Sequence, residues 1–369
     1  MINKIFFIIL AVLFTWSCGN SDDDNVGDTD NNEQLYFPPL DNSEWESVDF
    51  ETLNWNENAT VDLYDFLEEN NTRAFIVLKE GKIVIEKYWG NNILNTSSFN
   101  AETNWYWASA NKTITATLVG IAEKDGILNI NDKTSDYLGV GWTSISLEKE
   151  NLISIKNQLN MTTGLDYLVE DLNCTSSECL EYKADAGTQW YYHNAPYTLL
   201  EEVVSTAAGI NYNQYTDQNL ESITGMNGMW IESGSNKVYW STARDMARFG
   251  LLTLNKGRWE NSPALYTEDY YNDMLNTSQD INLSYGYLWW LNGKSSIQFP
   301  TFTTPFNISF SPNSPDDLVA GLGKNGQFLD IVPSQNLIVI RMGESPDGSQ
   351  IPIQFHNEMW AKLNVIINE

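Results

Sequence analysis

Two β-rich stretches near opposite ends of the chain constrain its fold more than any other feature. The first, Ala74-Phe-Ile-Val-Leu78, Lys79-Glu-Gly-Lys82 and Ile83-Val-Ile-Glu-Lys-Tyr-Trp89, sets a glycine turn between two β-prone runs and predicts a hairpin. The second comprises Gln327-Phe-Leu-Asp-Ile-Val332 and Leu337-Ile-Val-Ile-Arg341. Between them the periodicity is helical. Ile114, Leu118, Ile121 and Ala122 form a buried stripe after Trp105-Tyr-Trp-Ala-Ser109, and Lys124-Asp-Gly126 ends it. Tyr197 to Ala207 and Ser241 to Asn255 repeat the pattern, and Phe355 to Ile367 reads as a closing helix. Strands at both ends with helices between them predict an α/β (α+β) sheet domain carrying a helical insertion, without internal repeats.

Charge narrows the partners. Lys+Arg 20 against Asp+Glu 49 leaves a net charge of -29, so a polyanion would be repelled and a nucleic-acid partner is excluded. Hydrophobic residues at 42% and aromatics at 13% still supply a large core, which rules out a disordered acidic chain. With only two His and three Cys, a four-ligand zinc site would have to draw mostly on Asp and Glu; no metal or other cofactor is expected.

Ser109-Ala-Asn-Lys112 opens the first helical stripe and puts a hydroxyl and an amine three residues apart on one face. Serine is a poor nucleophile until a base takes its proton. An amine near pKa 10.4 cannot do so, and lowering it to about 7 requires roughly 4 to 5 kcal/mol of destabilised charge, which burial among Trp105, Trp107, Ile114 and Leu118 would supply. The helix N-terminus favours the developing negative charge. A second match, Ser146-Leu-Glu-Lys149, lies beside Glu148 and Glu150 in a charged stretch; its Lys should stay solvated and protonated.

Downstream, Tyr192-His193-Asn194 supplies Tyr-x-Asn and Lys324-Asn325-Gly326 supplies Lys-x-Gly before a strand. With Ser-x-x-Lys in this order, the chain from about residue 70 onward resembles the penicillin-recognising serine hydrolases, most closely the branch of class C β-lactamases, D-alanyl-D-alanine carboxypeptidases and esterases. Asn160-Met-Thr-Thr-Gly-Leu165, Ser241-Thr-Ala-Arg-Asp-Met-Ala-Arg-Phe249 and Tyr285-Gly-Tyr-Leu-Trp-Trp290 look like that family's other signatures. The resemblance implies an antiparallel sheet flanked by helices with an inserted all-helical subdomain, and an acyl-enzyme reaction on a β-lactam, D-Ala peptide or small ester. It implies Ser109 as nucleophile, Lys112 as its base and Tyr192 as proton relay to the leaving group and later to water. Asn194 would orient Lys112 and the substrate amide. Lys324 would lower the Tyr192 pKa and face a substrate carboxylate, and the backbone N–H groups of Ser109 and Gln327 would form the oxyanion hole, with Gly326 permitting close approach. Asn325 and Gln327 depart from the commoner Thr and small residue at those positions, leaving the backbone donors intact.

His193 points away from its neighbours and is read as structural. A Ser-His-Asp site could use only His193 or His356, and neither has a nucleophile-elbow context. The tryptophans, including Trp105, Trp107, Trp190, Trp289 and Trp290, belong first to the core, though some can line a cleft. The alternative to an enzyme is a catalytically silent envelope lipoprotein that holds peptidoglycan peptides or glycans in that cleft.

At the N-terminus, Met1-Ile-Asn-Lys4, an apolar run from Ile5 to Phe14 and Thr15-Trp-Ser-Cys18 resemble a bacterial lipoprotein signal spanning 1–17, with Cys18 lipidated; an ordinary cleaved secretion signal is the alternative. The run is too short to span a bilayer. Residues 18–50 are assigned to an acidic flexible tether, most polar from Gly19 to about Gln34, and 51–369 to the hydrolase domain. Ser21-Asp22-Asp23-Asp24 resembles the surface-export signal of Bacteroidetes lipoproteins, and also suits a solvated linker. The membrane would be met only through the lipid. Export would let Cys174 and Cys179 pair, though two free thiols fit the spacing equally.

Overall fold

The computed structural model describes residues 35–367 apart from Asn42 and Gln350. Cys18, the leader and the most polar part of the tether lie outside the described residues. In chain order the strands are β1 (Thr72–Lys79), β2 (Lys82–Tyr88), β3 (Trp105–Tyr106), β4 (Met229–Ser233), β5 (Asn236–Ser241), β6 (Trp290–Leu291), β7 (Val319–Gly323), β8 (Gln327–Val332) and β9 (Leu337–Gly343). The helices used below are α1 (Thr60–Glu69), α2 (Lys112–Lys124), α3 (Asn194–Thr198), α4 (Leu200–Ala208), α5 (Ala243–Leu254) and α6 (Ile353–Ile367).

The two β-rich stretches join. β1 and β2 form the expected hairpin, closed by Glu80 at φ 54° and Gly81 at φ 84°. Two successive left-handed residues give the turn whose twist matches antiparallel strands. β1 also pairs with β9, from Thr72 opposite Gly343 to Lys79 opposite Leu337. The sheet order is β2-β1-β9-β8-β7-β6, antiparallel throughout.

Every residue of β7, β8 and β9 is buried because helices cover both faces. Leu329 and Ile338 face α5, where a Cβ on Gly250 would lie 2.9 Å from Ile338 and 3.0 Å from Leu329. Asp330, the next residue, points the opposite way and accepts bonds from His356 and Trp360 of α6. The region between β3 and β4 is the expected helical insertion. It is backed by a small sheet, β3-β5-β4, that hydropathy alone hides because β4 buries only Trp230.

The tether assignment needs correction. Residues 35–41 and 43–50 lie on the folded body: Tyr36 N–H donates to Glu80 O at 2.9 Å, Trp45 Nε1 to Gly81 O at 2.8 Å and Val48 N–H to Ile83 O at 2.9 Å. This segment covers the outer edge of β2, whose backbone would otherwise be an open template for pairing. Its aromatic residues give the reason, since Phe37 packs on Trp259 with ring centroids 5.1 Å apart.

Arg341 of β9 is fully buried and ties the end of the sheet to the turn after β7. Its guanidinium donates to Asn325 O (2.6 Å), Gly326 O (2.9 Å), Asn70 O (2.8 Å), Glu344 O (3.0 Å) and Thr72 Oγ1 (3.2 Å). Replacing Arg341 with Met strands four carbonyls and a hydroxyl. Urea unfolding should show a loss of about 3 kcal/mol or more; a loss below about 1 kcal/mol would mean the guanidinium does not hold this corner.

Candidate active site

The site begins at a bend. Trp107 is buried, its N–H donating to Tyr239 O at 2.9 Å and its Nε1 to Ser241 Oγ at 2.9 Å. Ala108 then adopts φ 47°, a left-handed conformation that costs a residue with a Cβ on the order of 1 kcal/mol. The anchored Trp107 sustains it, and the chain emerges as a single 3-10 turn, Ala108–Asn111, that carries Ser109 into α2. Close approach on the other side requires Gly323, where a Cβ would sit 3.1 Å from Ala110 N and collide with Trp107 O.

Lys112 heads α2, which is buried from Lys112 through Ala122 as a helix inside a core must be. Its Nζ lies 3.2 Å from Ser109 Oγ. The rings of Tyr197 and Tyr192 close over it, with centroids 4.1 and 5.0 Å from Nζ. Desolvation pushes the amine down to about 7, against a smaller opposing pull from Glu201. The unprotonated amine is therefore accessible at neutral pH. The expected apolar surroundings are only partly those read from the sequence: aromatic rings from α3 and the preceding loop do much of the work.

Tyr192 stacks on Trp290, centroids 5.8 Å apart and 22° between planes, and burial holds its phenol well above the usual range, only partly offset by Ser109. Tyr192 is therefore an O–H donor at rest. Lys324 stands exposed at the rim of the same cleft.

One cleft of about 500 Å³ brings together Ser109, Lys112, Tyr192, Asn194 and Lys324. The remaining predicted residues stand differently. Asn325, at φ 64°, turns its amide away and donates to Tyr106 OH at 2.8 Å. Gln327 is fully buried, its side chain bonded to Gly343 O at 2.7 Å and Gly343 N at 3.0 Å. Gly326, at φ 77°, packs against the Arg341 guanidinium, where a Cβ would lie 2.6 Å from Nη1. The tight reversal from β7 to β8 sends these side chains away from the cleft, so only backbone can serve it there. Asn194 does not bond Lys112; its Nδ2 donates to Asn173 Oδ1 at 2.9 Å, which also accepts from Asn236 Nδ2 at 2.8 Å.

Two functional neighbours escaped the sequence reading. Asn173, beside the Cys174–Cys179 disulfide, gives no local signal for joining Asn194 to Asn236. Glu201 did leave one: it shares the apolar stripe of Tyr197 and Val204, where a carboxylate has no ordinary place. It is only 3% exposed, with one oxygen 3.3 Å from Lys237 Nζ and the other unpartnered. Burial raises its carboxyl to about 7, against lowering by Lys237 and Lys112.

Histidine offers no competing site. His193 is buried with neither ring nitrogen bonded, and burial pushes it down to about 4. His356 does join Ser311 Oγ (3.1 Å) and Asp330 (2.8 Å), yet all three are fully buried and no substrate could reach them. Lys149 of the second Ser-x-x-Lys pairs with Asp185 at 2.6 Å on the surface, which raises its pKa, so it stays charged.

A protein-family model described as Beta-lactamase matches residues 69–350. An uncharacterized protein of Alkalihalophilus pseudofirmus is 24% identical over 336 residues, covering 82% of this chain and 92% of its own. A penicillin-binding protein homologue from Caulobacter crescentus superposes with a TM-score of 0.64 at 12% identity, covering 83% of this chain and 97% of its own. An octameric penicillin-binding protein homologue from Pyrococcus abyssi gives 0.60 at 14%, covering 85% and 77%. At these identities the structural likeness is one of fold, and it matches the expected antiparallel sheet flanked by helices.

Two outcomes follow from the amine. Glu201→Gln removes the charge that raises Lys112, so the midpoint of the pH profile for covalent labelling of Ser109 by a fluorophosphonate probe should move down by about half to one unit; an upward move would show the coupling is misread. Because Lys112 is depressed from 10.5 to about 7, the folded chain binds fewer protons than the unfolded one between those values, and this group's contribution to stability rises with pH across that window. Lys112→Met should therefore raise unfolding free energy at pH 7 by about 2–4 kcal/mol, as checked by denaturant titration.

Proposed function

Because the chain belongs to the Beta-lactamase family, whose fold is of the serine hydrolase type, we propose that it hydrolyses amides or esters through an acyl-enzyme on Ser109. The observation that carries this reading is the unprotonated-competent amine 3.2 Å from the hydroxyl. Neutral Lys112 accepts the Ser109 proton as Oγ attacks the substrate carbonyl. The backbone N–H groups of Ser109 and Gln327 receive the oxyanion, a contribution of about 10²–10³ in rate for each donor.

As the intermediate collapses, the bond to the leaving group breaks and that group takes the proton of Tyr192, which Lys112 restores. Water then attacks the acyl carbonyl, with the same two residues working in reverse. Lys324, exposed on the cleft, faces a substrate carboxylate, an attraction that remains local in a chain of net charge -29. The enzyme works at the cell envelope, held by lipid on Cys18; the Cys174–Cys179 disulfide suits an oxidising compartment of that kind.

Intact-mass analysis after a fluorophosphonate or penicillin probe should show one adduct on the native chain and none on Ser109→Ala. Lys112→Ala should slow labelling by about 10²-fold or more, while His193→Ala should still label. Undiminished labelling of Ser109→Ala would overturn the assignment.

A further inference from the structure

A second pocket of about 500 Å³ adjoins the cleft and shares Pro300, Thr301 and Ile351 with it. Its other walls are apolar: Trp290, Phe299, Phe302, Leu322 and Ile353. The pocket is within the size range of small-molecule sites, and it leaves Phe302 48% exposed in a strongly acidic chain.

The wall is built rather than incidental. Thr301, a β-branched residue, holds φ 72°, and Phe302 N–H donates to Phe299 O at 3.2 Å across this strained turn. Gln298, almost wholly buried, donates to Phe302 O and to Trp190 O, both at 2.9 Å, pinning the turn to the loop that carries Tyr192. Trp290 separates pocket from cleft: it lines the pocket and lies face to face with Tyr192. The cleft itself carries a polar cluster, in which Asn173 joins Asn194 and Asn236, with Lys237 beside it in the lining.

We propose that this pocket receives the leaving group, so that the natural substrate is an amide or ester whose expelled amine or alcohol carries a bulky alkyl or aryl portion. The inference rests on the serine hydrolase reading, in which Tyr192 protonates the leaving group; what departs beside Tyr192 departs beside Trp290. The acyl portion meets the asparagine cluster. Acylation forms the Ser109 Oγ–carbonyl bond and breaks the bond to the amine or alcohol, which leaves with the proton from Tyr192. Water completes hydrolysis, and no other reactant is needed. Burying each added methylene favours binding by a factor of about three to four until the pocket is filled.

The test uses the full chain and two ester series: one acid esterified with alcohols from methyl to octyl, and p-nitrophenyl esters of acids from acetyl to octanoyl. The kcat/KM should climb about threefold per methylene in the alcohol series and remain nearly flat in the acyl series. In Phe302→Ala, a change at an exposed wall, the octyl-to-methyl ratio should fall about tenfold. Independently of turnover, free alkanols should protect Ser109 from a fluorophosphonate probe, increasingly from butanol to octanol, and less so in the variant. A flat alcohol series, a steeper acyl series, or protection independent of chain length, each with Ser109 labelling intact, overturns the pocket assignment alone. Loss of Ser109-dependent labelling altogether overturns the hydrolase reading beneath it.

Discussion

A single desolvated amine organises this molecule. An ammonium at Lys112 would favour water, and the fold denies it water by burying α2 on all sides and closing two tyrosine rings over Nζ. Each unit of depressed pKa represents about 1.4 kcal/mol set against folding. That cost is met by a core extensive enough to carry it, including the Tyr270 hydroxyl bonded to Ala116 O at 2.6 Å and packed against Gly120. The result is an amine of lowered pKa 3.2 Å from a serine hydroxyl.

The surrounding architecture delivers the other groups to that amine. The sheet joins the early and late β-rich stretches, and Arg341 fastens β9 to the turn that presents Lys324. The helical insertion supplies Tyr192, Tyr197 and Glu201, all of which act on that amine. Ala108 sits where the two halves meet, and its left-handed backbone is the local cost of turning Ser109 toward both. Electrostatics is similarly local: Lys112, Lys237 and Lys324 gather around one cleft in a chain where acidic residues outnumber basic ones by more than two to one. Glu201 tempers Lys112 from below, and its own burial keeps it from being a permanent full charge.

Much of this was legible from residue order. The hairpin, the late strands, α2, α5 and α6 follow from periodicities of two and near four, which arise from backbone geometry alone and survive any packing. The triple signature placed Ser109, Lys112, Tyr192, Asn194 and Lys324, and all five line one cleft. What residue order leaves open has tertiary causes. Asn325 and Gln327 keep the motif's spacing, and a left-handed residue in the turn with the pull of Gly343 and Tyr106 turns their side chains away while the backbone donors stay intact. Residues 35–50 read as tether because acidic and polar residues surround the few aromatics that dock.

By itself the sequence determined which elements form and which reactive side chains sit within a turn of one another, because those depend on neighbours a few bonds away. Whether Lys112 is charged, which way Asn194 and Gln327 point, that Glu201 and Lys237 meet beside the cleft, and that an aromatic pocket opens past Trp290 were decided only by folding. Burial, dielectric and the partners of a side chain depend on residues distant in the chain, and no local pattern encodes what will be brought against it.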